Sequence, residues 1–553
     1  MTPETEDPLM RATFRLALAV VMALTLTAPA EAGVHPAITW TPCAGNQAVE
    51  CATVRVPVDW SRPGGASVEL ALARRAAADP GARIGSLLFD PGGPGGSAAG
   101  LVLSDDRFTY FSERLRRHFD IIGVDRRGVG RSHPVLCSGA LVDQEPYPVP
   151  STQAEFDRIA EHNRRVRADC RARTGPLFDH VDTRSAAYDL DAVRAALGEP
   201  SLSFMGISYG TVLAGQYAEE FPHRVRAVVL DSVLDHSLGT RGLLDAGAAS
   251  GQDSFDEFAA WCARDTRCAL HSEDVRALWA RLLARAGRGE LVLGSGPPYR
   301  LRPAELLRAL GDALRGPVWA ESAEVLRALD SGAPFPAPDL PPPSPEVVPY
   351  PVRIRCADFH MPVRDHREFA RHLRRTALIA PDMRYSADRV EEVARCLGTP
   401  APIPNPQHRL RVRPGPPLLV INTRHDPVTG YSMARNVAAQ LGPRARLVTY
   451  DGWGHGATPR TPCTTAIVDD YLISLILPAP GTRCPGVPPD ETASRLAEGP
   501  SRRAGSPGGQ PAPGDGERDG ERDGAGAEAY LGEEVEDLGA AGGGGDGGVD
   551  EAG

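Results

Sequence analysis

The 553-residue chain has no lysine: all 60 of its basic residues are arginine. Without a side-chain amine it has no Walker P-loop, no pyridoxal-phosphate Schiff base and no Ser-Lys dyad, since each needs that group. The gap, with the excess of Ala, Gly, Pro and Arg, fits the coding bias of a high-GC bacterium. No two cysteines have C-x-x-C spacing, so zinc is a poor reading, and no metal or organic cofactor is implied. Net charge is absent where a fold is expected, although charged residues are plentiful there. Residues 488–553 hold 16 Asp and Glu against 5 Arg, which accounts for the whole formal charge of −11. The remainder is balanced, so nothing argues for nucleic acid or an anionic membrane as partner.

Residues 1–32 read as an export signal. Arg11 and Arg15 precede the apolar run Leu16–Leu26, which is short for a membrane span, and Ala28-Pro29-Ala30 and Ala30-Glu31-Ala32 fit an A-x-A cleavage pattern. The acidic stretch before Met10 is foreign to such a signal and makes Met10 an alternative start. The mature protein is expected to be secreted, or held at the cell wall, as a monomer with no stable membrane span. Ten cysteines suit that oxidising location. Short loops favour pairing in chain order: 43–51, 137–170, 262–268, 356–396 and 463–484.

Apolar runs alternate with helical stretches on either side of a long middle segment. Strands are expected at Val54–Val58, Val68–Ala73, Leu87–Phe89, Ile121–Val124, Leu202–Ile207, Val225–Leu230, Leu418–Ile421 and Arg446–Tyr450. Helices are expected at Thr183–Leu197, Thr211–Phe221 and Ser432–Leu441. Continuous buried strands alternating with helices indicate an α/β fold with a doubly wound, mostly parallel sheet. Residues 233–412 break the rhythm with Ala, Arg and Leu at helical spacing and a proline-dense loop at Pro334–Pro351. They read as a helical cap inserted between core segments 33–232 and 413–487. Residues 488–553, rich in Gly, Asp and Glu, form an expected disordered tail.

The chemistry centres on Gly206-Ile207-Ser208-Tyr209-Gly210, which follows a strand-like run and opens a helix. A nucleophile elbow needs this context, with glycines where neighbouring turns pass too close for a side chain. Three further loops follow strands. In Asp90–Ser97 the clustered glycines free backbone N–H groups, and Gly93 with Tyr209 is assigned as the oxyanion hole. Asp426, in Thr423–Thr429, suits the acid that holds an imidazole, and His455, flanked by Gly454 and Gly456, suits the general base. Ser208…Asp426…His455 is the chain order of an α/β-hydrolase triad. Asp231, one strand earlier, is the rival acid, and His425 is too close to Asp426 in sequence to receive its bond. The loop Asp125–Ser132 reads as structural.

Taken together, the sequence resembles the secreted tripeptidyl aminopeptidases, relatives of prolyl aminopeptidase in the α/β-hydrolase superfamily. The matching stretches are Trp40-Thr41-Pro42-Cys43, Val56–Trp60 with Arg62–Gly65, Pro91–Ser97, Asp125–Ser132, the elbow, Asp426–Thr429 and Gly454–Gly456. The resemblance implies a serine exopeptidase acting on peptides with a free N-terminus, with Ser208, Asp426 and His455 at the family's triad positions. Asp90, where relatives more often carry asparagine, and Gly430, where proline is common, depart from the pattern. Asp253, Asp256, Glu257 and Asp358 are candidates for binding the substrate amine, although solvated charges or salt bridges within the cap are the commoner explanation for any one of them, and none is assigned to the site. An esterase using the same triad and a non-enzymatic binding protein on the same scaffold are the competing readings.

Overall fold

The computed structural model describes residues 38–294, 299–332, 344–413 and 415–489. The expected signal and nearly all of the expected acidic tail lie outside these residues.

The strands, in chain order, are β1 (Thr41–Cys43), β2 (Asn46–Pro57), β3 (Ser67–Arg75), β4 (Gly85–Asp90), β5 (Phe119–Val124), β6 (Leu136–Ser138), β7 (Leu202–Ile207), β8 (Val225–Asp231), β9 (Val292–Leu293), β10 (Tyr299–Arg300), β11 (Val347–Pro349), β12 (Leu418–His425), β13 (Ala445–Trp453) and β14 (Arg483–Pro485). Ten of them form one sheet in the order β1-β2-β3-β5-β4-β7-β8-β12-β13-β14. The pairings among β1, β2, β3 and β5 are antiparallel, and every pairing from β5 through β4 to β14 is parallel. The sheet is therefore mostly parallel, as its apolar runs predict.

Each central strand buries both faces. Leu88, Ile122, Phe204, Val228 and Val420 pack under the helices Thr183–Ala196, Gly210–Glu220 and Tyr431–Leu441. Their neighbours Leu87, Ile121, Met205, Val229 and Ile421 pack on the opposite face, against the helices Ala98–Leu103 and Pro462–Ser474. Alternate side chains of a pleated strand point to opposite faces, so helices on both sides demand the unbroken apolar runs seen in the sequence.

Between β8 and β12 the described chain carries seven helices, from Thr240–Arg264 to Ala387–Arg395. Many of them share an aromatic core of their own, built around Phe255, Phe258, Trp279 and Trp319. The sheet resumes at Leu418 beside β8, so this segment is an insertion between neighbouring strands.

All ten cysteines pair, and the pairs are the five expected from chain order. Observed strands run longer than the apolar runs that announce them: β2 begins at Asn46, not Val54, and stops at Pro57. Its N-terminal half forms a hairpin with β1 and joins β3 only from Glu50 onward; polar and apolar residues mix there and no clear run forms.

Candidate active site

β7, β8, β12 and β13 are parallel neighbours, so their C-terminal ends open on one edge of the sheet. Every residue of β7 is buried, and the chain then turns at Ser208 with φ +55°. This left-handed conformation is uncommon for a residue with a side chain and stores strain at the turn. Its N–H donates to the Asp231 carbonyl at 3.0 Å. The flanking glycines are required by contact: a Cβ on Gly206 would lie 2.2 Å from the Gly210 oxygen, and one on Gly210 would lie 2.4 Å from the Asp90 oxygen. The Ser208 hydroxyl is partly exposed and makes no hydrogen bond among the described residues.

The glycine loop after β4 packs directly on the elbow. The Cβ position of Gly92 lies 3.1 Å from Ser208 Cβ and 3.0 Å from Tyr209 N. Among the described residues, neither the Gly93 nor the Tyr209 N–H has a hydrogen-bond acceptor. Unpaired amides beside a nucleophile are what a developing oxyanion requires. Asp90, the departure from the family pattern, anchors this loop from below. It accepts the Gly92 N–H at 2.8 Å and pairs with the buried Arg126, whose Nη2 lies 2.5 and 2.6 Å from its two oxygens. The Nε and Nη1 of Arg126 have no acceptor, but the guanidinium sits 5.4 Å from the Tyr209 ring centroid, where the π face offers partial compensation.

Asp426 and His455 meet as their loops predict. The imidazole Nδ1 lies 3.0 and 2.9 Å from the two carboxylate oxygens of Asp426, and both residues are buried. Burial opposes the charge on Asp426, yet the adjacent imidazole and the N–H groups of Val428 (2.9 Å) and Thr429 (3.0 Å) outweigh it and hold the carboxyl below its usual range. Thr429 was not singled out from the sequence. Its hydroxyl lies 3.1 Å from Asp426 Oδ2 and 3.3 Å from His455 Nδ1, bracing the pair from the side. The signal was its position three residues after an aspartate in Asp-Pro-Val-Thr, a turn that returns the hydroxyl to the carboxylate. The other departure, Gly430, faces the insertion: a Cβ there would fall 1.8 Å from Ser250 Oγ.

Asp231, the rival acid, does not bind the imidazole. Its carboxylate oxygens accept the N–H groups of Ala457 (2.8 Å) and Thr458 (2.9 Å), while Ser232 Oγ accepts that of Gly456 (2.8 Å). With its carbonyl on Ser208 N–H, this one residue ties the elbow to the histidine loop. Burial raises its carboxyl pKa. Arg460, also missed in the sequence, closes the loop from the other side by donating from Nη2 to the His455 carbonyl at 2.7 Å.

The remaining sequence candidates have structural partners. His425 turns away from Asp426, placing Nδ1 2.9 Å from Asp253. Glu257 accepts the Trp453 indole N–H at 3.0 Å, and Asp256 pairs with Arg276 at 2.8 Å. Asp125 accepts the Ser97 hydroxyl at 2.7 Å and the N–H groups of Ala99 (3.0 Å) and Arg131 (2.9 Å), the structural role expected of its loop. Asp358 is fully buried and accepts four donors: Thr183 N–H (2.8 Å), Thr183 Oγ1 (2.5 Å), Asn405 Nδ2 (2.9 Å) and the Tyr209 hydroxyl. Four donors fill the lone-pair sites of a carboxylate, so none is left for a substrate ammonium.

The insertion rests on these loops. The Arg315 carbonyl accepts the His455 N–H at 2.9 Å, and Ser254 Oγ donates to the His425 carbonyl at 3.3 Å.

Known proteins share this chain over most of its length. The serine protease Hip1 of Mycobacterium tuberculosis is 31% identical over 496 residues, covering 82% of this chain and 92% of Hip1. A carboxylesterase B of the same organism is 31% identical over 496 residues, covering 82% of this chain and 91% of the esterase. The tripeptidyl aminopeptidase of Streptomyces lividans is 29% identical over 474 residues, covering 79% and 84%. A family model for the alpha/beta hydrolase fold matches residues 85–458, from the start of β4 to just beyond His455, and the chain belongs to that family.

Proposed function

We propose that the chain is an exported serine exopeptidase that removes short peptides from the free N-terminus of its substrates through an acyl-enzyme on Ser208. The observation that carries the reading is the buried Asp426–His455 pair on the same sheet edge as a strained serine whose hydroxyl makes no hydrogen bond among the described residues. Asp426 occupies Nδ1, which leaves Nε2 to take the Ser208 proton as Oγ attacks the scissile carbonyl. The carbonyl oxygen gains charge and is met by the Gly93 and Tyr209 N–H groups, worth roughly 3–4 kcal/mol each in the transition state. Nε2–H then protonates the leaving amine, the C–N bond breaks and the peptidyl ester stays on Ser208. Water, deprotonated by the same nitrogen, releases the peptide acid and restores the serine.

Two features support an exopeptidase. The protease and tripeptidyl aminopeptidase relatives align over about four-fifths of the chain. The helical insertion, read as a cap, sits on the histidine loop, where it restricts entry to the end of a peptide. Five disulfides support export, and no described helix is long and apolar enough to cross a membrane. The second reading is an esterase, favoured by the relative named carboxylesterase B.

The test is release of a fluorescent amine from matched tripeptide amides, one with a free N-terminus and one acetylated. Cleavage of the free form alone, abolished in Ser208→Ala, is expected. Hydrolysis of short-chain aryl esters through Ser208, with neither peptide cut, would replace the peptidase by the esterase.

A further inference from the structure

We propose that the helix Val352–Asp358 in the insertion sets the geometry of the oxyanion hole, so that the cap acts on the chemical step as well as on access. The proposal rests on the reading of Gly93 and Tyr209 as the oxyanion donors.

Both residues are held by this one helix, through side chains three apart and therefore on the same face. Arg355 donates from Nη2 to the Gly93 carbonyl at 3.1 Å, and Asp358 accepts the Tyr209 hydroxyl. Each tether acts on the residue whose N–H is left unpaired beside Ser208, and neither occupies that N–H. The Gly93 carbonyl belongs to the planar Gly93–Pro94 peptide, so fixing it holds the chain on one side of the Gly93 Cα and narrows the range open to the N–H on the other. On the other side of the elbow, the tyrosine tether fixes the ring. The Arg355 guanidinium also stands 4.4 Å from the Tyr209 ring centroid, which couples the two tethers. Burial first, and then the Asp358 charge, raises the phenol pKa well above its ordinary value, so the hydroxyl remains a donor across the working range.

The helix is itself pinned. Cys356 is bonded to Cys396, at the end of the helix Ala387–Arg395, and Arg355 pairs with Glu392 of that helix at 2.8 Å. Glu392 accepts from Arg389 Nη1 at 2.8 Å, and Arg389 Nη2 reaches the Val428 carbonyl at 3.0 Å in the loop that holds Asp426. Arg355, Glu392 and Arg389 thus run from the oxyanion loop to the acid loop, and Arg355 and Arg389 are buried. Ion pairs of this sort contribute little net stability, and the role assigned to them here is to connect the two loops. Pro351, just ahead of the helix, closes the contact: a Cβ on Gly95 would lie 2.6 Å from its ring.

The experiment compares Tyr209→Phe and Arg355→Gln with the unsubstituted protein on two substrates, a free tripeptide amide and a short-chain aryl ester. It also measures inhibition by a peptidyl aldehyde, which forms a tetrahedral adduct on serine, and by the peptide acid product, which does not. Slight displacement of a preorganised donor costs up to about 100-fold in rate. The expected result is a roughly 10- to 100-fold fall in kcat on both substrates with KM within about 3-fold. Aldehyde binding should weaken in proportion to kcat/KM, with product binding unchanged. Tyr209→Phe removes one oxygen and keeps the amide, so it carries the test where Arg355→Gln does not fold. A rise in KM for the peptide alone, with ester turnover intact, would make Arg355 a substrate contact and overturn the proposal. Unchanged kcat and aldehyde affinity in Tyr209→Phe would overturn it too. The ester arm decides the matter even where the peptide is not a substrate, so failure of the exopeptidase reading remains distinguishable.

Discussion

Two buried aspartates compete for the role of triad acid, and replacing each by asparagine separates them. In Asp426→Asn the imidazole loses both carboxylate contacts, at 2.9 and 3.0 Å, and faces an amide that no longer enforces the Nδ1–H tautomer. Where a triad acid is replaced in this way, kcat falls about 10⁴-fold, or about 5.5 kcal/mol of transition-state stabilisation. Asp231→Asn does something different. The carboxylate holds two amides of the histidine loop, and asparagine offers one acceptor oxygen while turning an NH₂ toward the other N–H. The loss of one charge-assisted bond costs about 1.5–3 kcal/mol of stability. Movement of the loop costs at most about 100-fold in rate. The assay is kcat on an aryl ester, which responds to the triad whatever the natural substrate, beside a thermal melt. Asp426→Asn should be at least about 100-fold slower than Asp231→Asn, with both variants shown by the melt to be folded at the assay temperature. An inverted order of rates, with both variants folded, would refute the assignment of the acid.

Arg127 spends all five donors on Asp189, Pro57, Val58 and His180, so Arg127→Lys leaves two buried acceptors unmet at roughly 1–3 kcal/mol each, and denaturant titration should show that loss. Cys463–Cys484 closes 21 residues and fastens β14 to the helix Pro462–Ser474; replacing both cysteines with serine should cost about 3 kcal/mol in the same titration while leaving the kcat of the folded protein intact. Hydrogen bonding to Glu219, at 2.8 Å, raises the pKa of His408. Its stabilising contribution is therefore full below about pH 6.5 and lost as the pH rises through the higher folded value. The difference in melting temperature between the protein and His408→Asn should shrink from acid to alkaline pH, and a difference that grows would contradict the pairing.

The central strands and the elbow were legible because parallel strands bury both faces and so leave unbroken apolar runs, as in Leu202–Ile207 and Leu418–Ile421. The glycines at 206 and 210 were legible for a related reason: contact with backbone leaves no chemical alternative. The strands β1 and β14 have three residues each, too few for any period, and depend on a long neighbour for their hydrogen bonds. Thr429 escaped because its turn points to the aspartate and says nothing of an imidazole, and Arg460 because an arginine carries no chemical signature until the fold brings it to the carbonyls of the histidine loop. The part Asp358 plays was hidden for a different reason. An aspartate in a cap helix suggests an exposed charge, and sequence alone does not reveal that four donors already surround it.

The absence of lysine acquires a structural meaning beside the buried and half-buried carboxylates. Asp90, Asp189 and Glu392 are each met by a guanidinium around the nucleophile and its supporting helices. A planar fork donates to both oxygens of a carboxylate and still reaches backbone carbonyls, as Arg127 does on Asp189, and a single guanidinium bridges partners on two elements, as Arg355 does between Glu392 and Gly93. An ammonium, with three donors diverging from one point, does not span such a pair of partners. Ion pairs of this kind also fix orientation, and orientation is what the site needs: Arg126 on Asp90 stands beside the Gly92 turn, and Arg355 and Arg389 on Glu392 reach the Gly93 carbonyl, the Tyr209 ring and the Asp426 loop. Coding bias explains why arginine is abundant in this chain. The geometry explains why, at these positions, lysine would not be an equivalent substitute.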